Sequence, residues 1–314
     1  MTNQQHAYRI GPFCYQTDLS IPELKLGPVD GCPVINVALG VIPEALLQPL
    51  INTKDCQAAI DEFLLRIPGV AGYYARNGRE VTVQLEPGAP ALDVRAYLLS
   101  SIFAALCHQR HLLPLHAGAV RTERGVVAFL GASGAGKSSL IAFLARRGYP
   151  VVCDDICLID PAAPLERRVR PVAHWLKLWR STMDVLGEQP DLRMRTFTED
   201  DKYRVGLADD ETPLPLAELI ILRKMDLEEN HDGESGLRRT IFRELTPAQA
   251  VQSMLQLTYQ AWLVHGTGQT PAYFERCGKA LGGVKAFSME RPWGFAAMDA
   301  TLDALEEHLG SRKA

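Results

Sequence analysis

Short apolar runs separated by turn residues fill the first 90 residues, which predicts a β-rich N-terminal segment. The run over 34–41 predicts a strand, and two strand-like runs flank Asn77-Gly78, the dipeptide most typical of a tight β-hairpin. Between these elements, the stretch 54–65 predicts a helix. The sequence PGAP at 87–90 interrupts the pattern, so we place a domain boundary at residue 90.

From residue 91 onward, helical spacing of apolar residues alternates with short, fully apolar runs. The predicted helices cover 91–108, 137–147, 247–264 and 301–309, and the predicted strands cover 112–120, 126–130, 151–153, 156–159 and 219–222. The order strand, loop, helix, strand in the centre of the chain is typical of an α/β fold. We therefore expect an α/β domain over 91–314 after a smaller, β-rich (α+β) domain over 1–90.

Composition narrows the class of protein. The 314 residues are 47% hydrophobic and 22% charged, as in folded globular chains, and the net charge of -4 argues against nucleic acid as a partner. No uninterrupted apolar run reaches the ~18 residues of a membrane span, and the polar first residues lack the order of a signal peptide. We expect a cytoplasmic protein without a membrane partner, whose seven cysteines are reduced thiols because they form no regular framework.

One motif predicts chemistry directly. The sequence GASGAGKS over 131–138 fits G-x-x-x-x-G-K-[ST], the P-loop, and it lies between a predicted buried strand and a predicted helix. Glycines allow backbone N–H groups to turn toward phosphate oxygens, where Lys137 would neutralise charge and Ser138 would bind Mg²⁺. The predicted nucleotide site consists of Gly131, Ala132, Ser133, Gly134, Ala135, Gly136, Lys137, Ser138 and Ser139.

Two acidic residues and a histidine extend this site. Asp154 and Asp155 follow a short apolar strand, where P-loop proteins place a second metal-binding carboxylate. One carboxylate can bind the metal together with Ser138, while the other accepts a proton from an attacking hydroxyl. The alternative is an acidic pair that only caps a turn. His116, on the apolar strand before the P-loop, is either a core histidine or a member of the site.

These residues resemble those of the HPr kinase/phosphorylase superfamily, in which a histidine precedes the P-loop and an Asp-Asp pair follows it. The spacing from His116 to Lys137, and from there to Asp155, agrees with the family pattern. The similarity covers 112–160 well and the rest of the chain loosely. The motifs LHAGAV at 115–120, LKLW at 176–179, DKYR at 201–204 and RPW at 291–293 are similar to those of the HPr-kinase-like peptide kinases of lasso-peptide gene clusters.

The resemblance implies an ATP- and Mg²⁺-dependent kinase that phosphorylates a serine of a ribosomal precursor peptide or small protein. It implies that Asp154 binds the metal or its water, that Asp155 takes the serine proton, with these two roles interchangeable, and that His116 orients the base. The sugar-regulation enzyme of the family has a glutamate-containing signature where this chain has AHWLKLWR at 173–180, without a carboxylate. That departure favours a peptide over HPr as the acceptor and argues against phosphorylase activity.

Other interpretations of the same residues remain open. A GTPase would use DxxG at 184–187 and RKMD at 223–226, although arginine replaces the guanine-reading asparagine. An HPr-type protein kinase, a kinase of a small hydroxylated metabolite, and a nucleotide-gated binding protein without activity are further alternatives. Lys202 and Arg204 either close over phosphates or are solvated, and the N-terminal segment is predicted to help recognise the peptide. A homo-oligomer is compatible with the sequence.

Overall fold

A computed structural model describes residues 6–27, 31–172, 175–206, 212–225 and 239–310. In these ranges, helices α1–α8 are Ala91–Tyr97, Phe103–Gln109, Lys137–Arg146, Arg180–Leu186, Pro247–Gln256, Ala261–Gly266, Thr270–Ala280 and Met298–Leu309, and a π-helix, Leu98–Ile102, joins α1 to α2. Strands β1–β10 are His6–Ile10, Phe13–Thr17, Val34–Leu39, Ile51–Asn52, Cys56–Ala58, Glu62–Ile67, Ala71–Arg76, Glu80–Leu85, Leu113–Leu115 and Ala117–Thr122. Strands β11–β19 are Gly125–Leu130, Val151–Cys153, Cys157–Ile159, Val169–Arg170, Trp175–Trp179, Lys202–Gly206, Leu216–Lys224, Ile241–Glu244 and Lys285–Arg291.

The N-terminal segment is β-rich, as predicted, and its sheet has the strand order β1-β2-β3-β8-β7-β6-β5-β4. The predicted hairpin is present between β7 and β8, where Asn77 and Gly78 both have positive φ (54° and 63°). Two successive residues of positive φ match the twist of the flanking antiparallel strands. The local chemistry of this dipeptide is therefore sufficient to place the turn.

The helix predicted over 54–65 is wrong. The structure has β5 and β6 there, and β6 pairs antiparallel with β7 so that Leu64 lies opposite Tyr74. Phe63 and Leu64 are both buried, one on each face of the strand. Pairing with the neighbouring hairpin outweighs the weak helical propensity of this stretch, because strand formation depends on cross-strand neighbours.

The predicted helix over 91–108 is present as α1, the π-helix and α2. Ile102, Phe103 and Leu106 are fully buried against the N-terminal sheet, in the same apolar core as Tyr15 and Tyr73. Within the described residues, only 91–109 is long and apolar enough to cross a membrane, with a mean hydropathy of 1.2, and 67% of its most apolar window is buried inside the protein. This burial is typical of a core helix in a soluble domain. The division of the chain at residue 90 stays a prediction.

The central sheet has the order β12-β10-β11-β17-β19-β18, and β11, β17 and β19 run parallel. Every residue of β11 is buried, because its side chains enter two cores alternately. Val127 and Phe129 pack with α3 and α8 on one face, whereas Ala128 and Leu130 pack with α5 and α7 on the other. Helices on both faces of a parallel centre confirm the predicted α/β class.

Two predicted elements are each divided in the structure. The strand over 112–120 breaks at His116 into β9 and β10, which belong to different sheets. The helix over 247–264 breaks into α5 and α6, and Gln260 between them has a φ of 57°. The cause is contact with β9, where Thr258 bridges Leu115 and the Tyr259 N–H donates to the Pro114 carbonyl at 2.7 Å. This contact brings the α5–α6 connection to the break at His116.

The expectation of seven free thiols is wrong for one pair, since Cys14 and Cys32 form a disulfide. Strand β2 runs parallel to β3 with Cys14 opposite Val34, and the Cys14 N–H donates to the Pro33 carbonyl at 3.1 Å. Strand pairing therefore brings together two cysteines that no spacing rule connects. The five free thiols are those of Cys56, Cys107, Cys153, Cys157 and Cys277.

Candidate active site

The loop between β11 and α3 has the backbone that the motif predicts. Gly134 and Gly136 both have a φ of 77°, a left-handed conformation that L side chains rarely adopt. A Cβ atom on Gly136 would also lie 2.4 Å from Nη2 of Arg291. The first turn of α3 has no side-chain cap, because Gly136 occupies the N-cap position. Uncapped N–H groups at the positive end of a helix, next to a glycine turn, form a cradle for phosphate.

Lys137 places a buried cation in this loop. Its side chain is only 6% exposed, and Nζ donates to the carbonyls of Gly131 (2.7 Å) and Ala132 (3.0 Å). Burial lowers the pKa of Lys137 to about 8, although the charges of Asp154 and Asp155 oppose that shift. Among the residues that the structure describes, the ammonium bonds only these neutral carbonyl groups, which leaves its charge available to a phosphate.

Asp154 connects the loop to the β12–β13 turn. Its carboxylate accepts a hydrogen bond from Ser138 Oγ at Oδ1 (2.9 Å) and another from the Lys177 backbone N–H at Oδ2 (2.8 Å). The side chain is 2% exposed, and burial raises its pKa, while the bond from the Lys177 N–H acts in the opposite direction. A hydroxyl and a carboxylate at this distance form a hard-oxygen pair of the kind that Mg²⁺ prefers.

Asp155 faces a different part of the site because of its backbone. Its φ is 72°, and the Ile156 N–H donates to the Asp154 carbonyl at 3.0 Å, which closes a tight turn around Asp155. A non-glycine residue in such a turn is strained, and strain of this kind concentrates at functional sites. Asp154 and Asp155, although adjacent in sequence, thus have different partners.

The partners of Asp155 are a lysine and a histidine. Lys177 Nζ donates to Oδ2 at 2.6 Å, and His116 Nε2 lies 3.7 Å from Oδ1. Burial raises the pKa of Asp155, but the charge and hydrogen bond of Lys177, with smaller contributions from His116 and Lys202, outweigh it and hold the pKa at about 2. Asp155 is therefore ionised at neutral pH.

His116 lies at the junction of β9 and β10. Its backbone N–H donates to the Leu257 carbonyl at 2.9 Å, and its ring meets Tyr259 edge to face, with 5.9 Å between ring centres. Burial lowers the pKa of His116 to about 4, and the Lys137 charge acts in the same direction, whereas Asp155 opposes it. His116 is thus a neutral imidazole at pH 7, held between a tyrosine and a carboxylate.

The structure brings His116, Lys137, Asp154 and Asp155 to one place, and it adds two contacts that sequence reasoning did not predict, the bond of Lys177 to Asp155 and the ring of Tyr259 against His116. Lys177 lies in a motif that the resemblance identified, but no pattern predicted its bond to Asp155. No sequence pattern predicts that Tyr259 belongs to the site, because it reaches His116 only through the contact of its own segment with β9. In β15 and β16, Trp179 lies opposite Lys202, whose charge lowers the pKa values of both aspartates.

Other predicted candidates lie elsewhere. Arg204 is buried and ion-paired with Glu23 at 3.7 Å, whereas the charge of Lys202 acts on both aspartates. The DxxG sequence at 184–187 forms the C-terminal end of α4, and Gly187 ends that helix with a φ of 71°. Asp226, the acidic residue of RKMD, lies outside the described residues.

No protein-family model matches this chain, and no curated protein matches its sequence. Among solved structures, the chain is similar to the structure of the Hpr(Ser) kinase/phosphatase from Coxiella burnetii. The two are 12% identical, the alignment covers 63% of this chain and 97% of that chain, and the TM-score is 0.27. A TM-score this low supports no conclusion about fold or function.

Proposed function

We propose that this chain is an ATP- and Mg²⁺-dependent kinase that transfers the γ-phosphoryl group of ATP to a serine hydroxyl of a ribosomal precursor peptide. One observation supports the transfer above all others. Adjacent carboxylates have separate partners, since Asp154 bonds Ser138 of the P-loop while Asp155 stays ionised between Lys177 and His116. A protein that only binds a nucleotide needs no second carboxylate.

The residues present fit both ATP and Mg²⁺. The triphosphate would lie on the backbone of 131–138, where the buried ammonium of Lys137 donates to the carbonyls of Gly131 and Ala132. Mg²⁺ would be held by Ser138 and Asp154, because one or two carboxylates plus phosphate oxygens are its usual ligands in such sites. When bound, the ion neutralises charge on the phosphate oxygens.

Asp155 is the proposed proton acceptor. As the serine oxygen forms its bond to the γ-phosphorus, the bond from that phosphorus to the β,γ-bridging oxygen breaks, and the serine proton moves to the Asp155 carboxylate. A carboxylate with a pKa of about 2 is a weak base. It suits a loose transition state, in which the hydroxyl is first oriented and loses its proton late. His116 is a positioning residue, since its neutral ring faces Oδ1 of Asp155.

The peptide substrate is supported by the surface next to Asp155. Lys177, Lys202 and the 53% exposed Trp179 occupy one face of the β15–β16 pair, beside the proposed base. A basic and aromatic surface of this kind suits an extended peptide better than a small metabolite, which requires an enclosing pocket. The resemblance to lasso-peptide kinases points to the same acceptor class, and a cytoplasmic location and a peptide-recognition role of the N-terminal domain belong to this proposal.

The test is a transfer assay with the full chain, ATP, Mg²⁺ and candidate serine-containing precursor peptides, with mass spectrometry as the readout. We expect one phosphate on the peptide, none with Lys137→Ala, and a turnover reduced by a factor of about 10² to 10⁴ with Asp155→Asn. Asp299→Asn, at an exposed position of α8, is the matched control and should transfer at the unsubstituted rate.

Four outcomes would contradict the proposal or one of its parts. Binding of ATP without transfer to any hydroxyl acceptor would favour the nucleotide-gated binding protein. A strong preference for GTP over ATP would favour the GTPase, and phosphorylation of free hydroxylated metabolites but not of peptides would favour the small-molecule kinase. An unchanged rate in Asp155→Asn would remove the assigned base.

A further inference from the structure

We propose that a shallow cleft beside the first turn of α3 binds the base of the nucleotide, with the indole of Trp293 as its stacking platform. This inference rests on the proposed function. The cleft has a volume of about 100 Å³, and its lining includes Gly136, Ser139, Arg291, Trp293 and Phe295.

The order of strands sets the direction in which a nucleotide would lie. Asp154 and Asp155 are in the turn after β12, which lies on one side of β11 in the central sheet. Strands β17 and β19 lie on the other side, and both run parallel to β11. If the outermost phosphate is directed at the two aspartates, the nucleoside must leave the loop on the side of β17 and β19. Ligands of open α/β sheets bind at this carboxyl edge of the strands.

Trp293 lies two residues beyond the end of β19, where the nucleoside would leave the loop. Its side chain is 55% exposed, although it is one of the largest apolar groups of the chain. Lys224 Nζ, at the end of β17, lies 4.3 Å from the centre of the ring, and the guanidinium carbon of Arg291 lies 5.4 Å from it. Two cations orient an exposed aromatic face beside the loop. Such a face stacks on any nucleobase, because every base presents a π surface.

Arg291 connects this platform to the phosphate loop. The residue is 3% exposed, and its guanidinium donates from Nη2 to the Ala135 carbonyl at 3.1 Å. Within the part of the chain that the structure describes, no carboxylate lies within ion-pair distance of it. A buried guanidinium that has a carbonyl partner but no anion is ready to bind a phosphate or ribose oxygen. The same residue thus fixes the loop and supplies positive charge between the loop and Trp293.

The experiment compares two ligands that differ only in the nucleoside. Affinities for ATP and for inorganic tripolyphosphate are measured by calorimetry with Mg²⁺ on the full chain. We expect the unsubstituted protein to bind ATP more tightly than tripolyphosphate. Trp293→Ala should lower the affinity for ATP about tenfold or more and leave the affinity for tripolyphosphate unchanged. Trp293→Phe should keep most of the preference for ATP over tripolyphosphate. Trp262→Ala is the matched control, because that indole is also 45% exposed but packs near Phe63 of the N-terminal sheet.

The outcomes separate this inference from the proposed function. Three results would overturn the base site. The unsubstituted protein binds the two ligands equally, Trp293→Ala leaves the ratio of ATP affinity to tripolyphosphate affinity unchanged, or Trp293→Ala lowers both affinities by the same factor. Unchanged tripolyphosphate affinity also shows that the variant is folded. A ratio that depends on Trp293, in a protein that transfers no phosphate, would support the base site and contradict the kinase. Failure of both ligands to bind would overturn both.

Discussion

The ammonium of Lys177 lies 2.6 Å from the Asp155 carboxylate, while the backbone N–H of the same lysine bonds the carboxylate of Asp154. One residue of β15 thus holds both acids of the β12–β13 turn, through two different groups. Substitution of the side chain can remove the first contact and keep the second. This separation allows the two acids to be tested independently.

We expect Lys177→Met to raise the pKa of Asp155, because burial favours the neutral carboxyl and the lysine charge opposes it. The pH profile of transfer should then show an acid limb at higher pH than in the unsubstituted protein. In the folded state the pKa of Asp155 is lowered, so its stabilising contribution is complete above about pH 4 and is lost as the pH falls toward 2. Lys177→Arg keeps the positive charge, so its acid limb should stay at the low pH of the unsubstituted protein. Identical limbs in the two variants would contradict this account.

Asp154→Asn and Ser138→Ala should remove the Mg²⁺ dependence of ATP binding, since their oxygens lie 2.9 Å apart and form the proposed metal pair. The expected loss of ATP affinity in the presence of Mg²⁺ is about 10- to 100-fold, with little change when the metal is absent. Asp155→Asn should keep the Mg²⁺ dependence. ATP titrations with and without the metal make the comparison, and the reverse pattern would exchange the roles of the two acids.

Lys137→Met should stabilise the protein in the absence of nucleotide, because burial lowers the pKa of this lysine and a buried cation opposes folding. The effect should be on the order of 1 to 3 kcal/mol below about pH 8 and should decrease as the pH rises through 8, where the lysine loses its proton in the folded state. Urea unfolding at pH 7 and pH 9 measures it. Lys279→Met, at an exposed site of α7, should show no such gain. A destabilised Lys137→Met would show that the bonds to Gly131 and Ala132 outweigh desolvation.

Two glycines of the loop should respond differently to alanine. Gly134 has open space around its Cα, so Gly134→Ala should cost only the left-handed backbone energy, about 1 kcal/mol. Gly136→Ala should cost about 2 to 3 kcal/mol, because the new methyl group also meets the buried guanidinium of Arg291. In the double variant, Arg291→Ala should recover part of the stability that Gly136→Ala loses through contact with Arg291. Chemical denaturation gives all three values, and equal costs for the two glycines would exclude the contact.

Local patterns were enough to predict the local structure around much of the candidate site. The apolar run of β11, the glycine loop and the helix after it are adjacent in sequence, and each depends on its own residues. The hairpin at Asn77-Gly78 is predictable for the same reason, since a two-residue turn with positive φ needs no distant partner. The acidic pair is a candidate from sequence alone, because it comes directly after an apolar strand.

Contacts between segments far apart in the chain decided the rest. The stretch 54–65 forms strands only because β7 lies beside it, and Cys14 meets Cys32 only because β2 pairs with β3. The different partners of Asp154 and Asp155 depend on β15, and Tyr259 reaches His116 through a contact with β9. Sequence alone therefore determined which groups could do chemistry, because the motif is local. Tertiary structure decided which partner each group has, because strand pairing and burial act between residues that are far apart in the sequence and share no recognisable pattern.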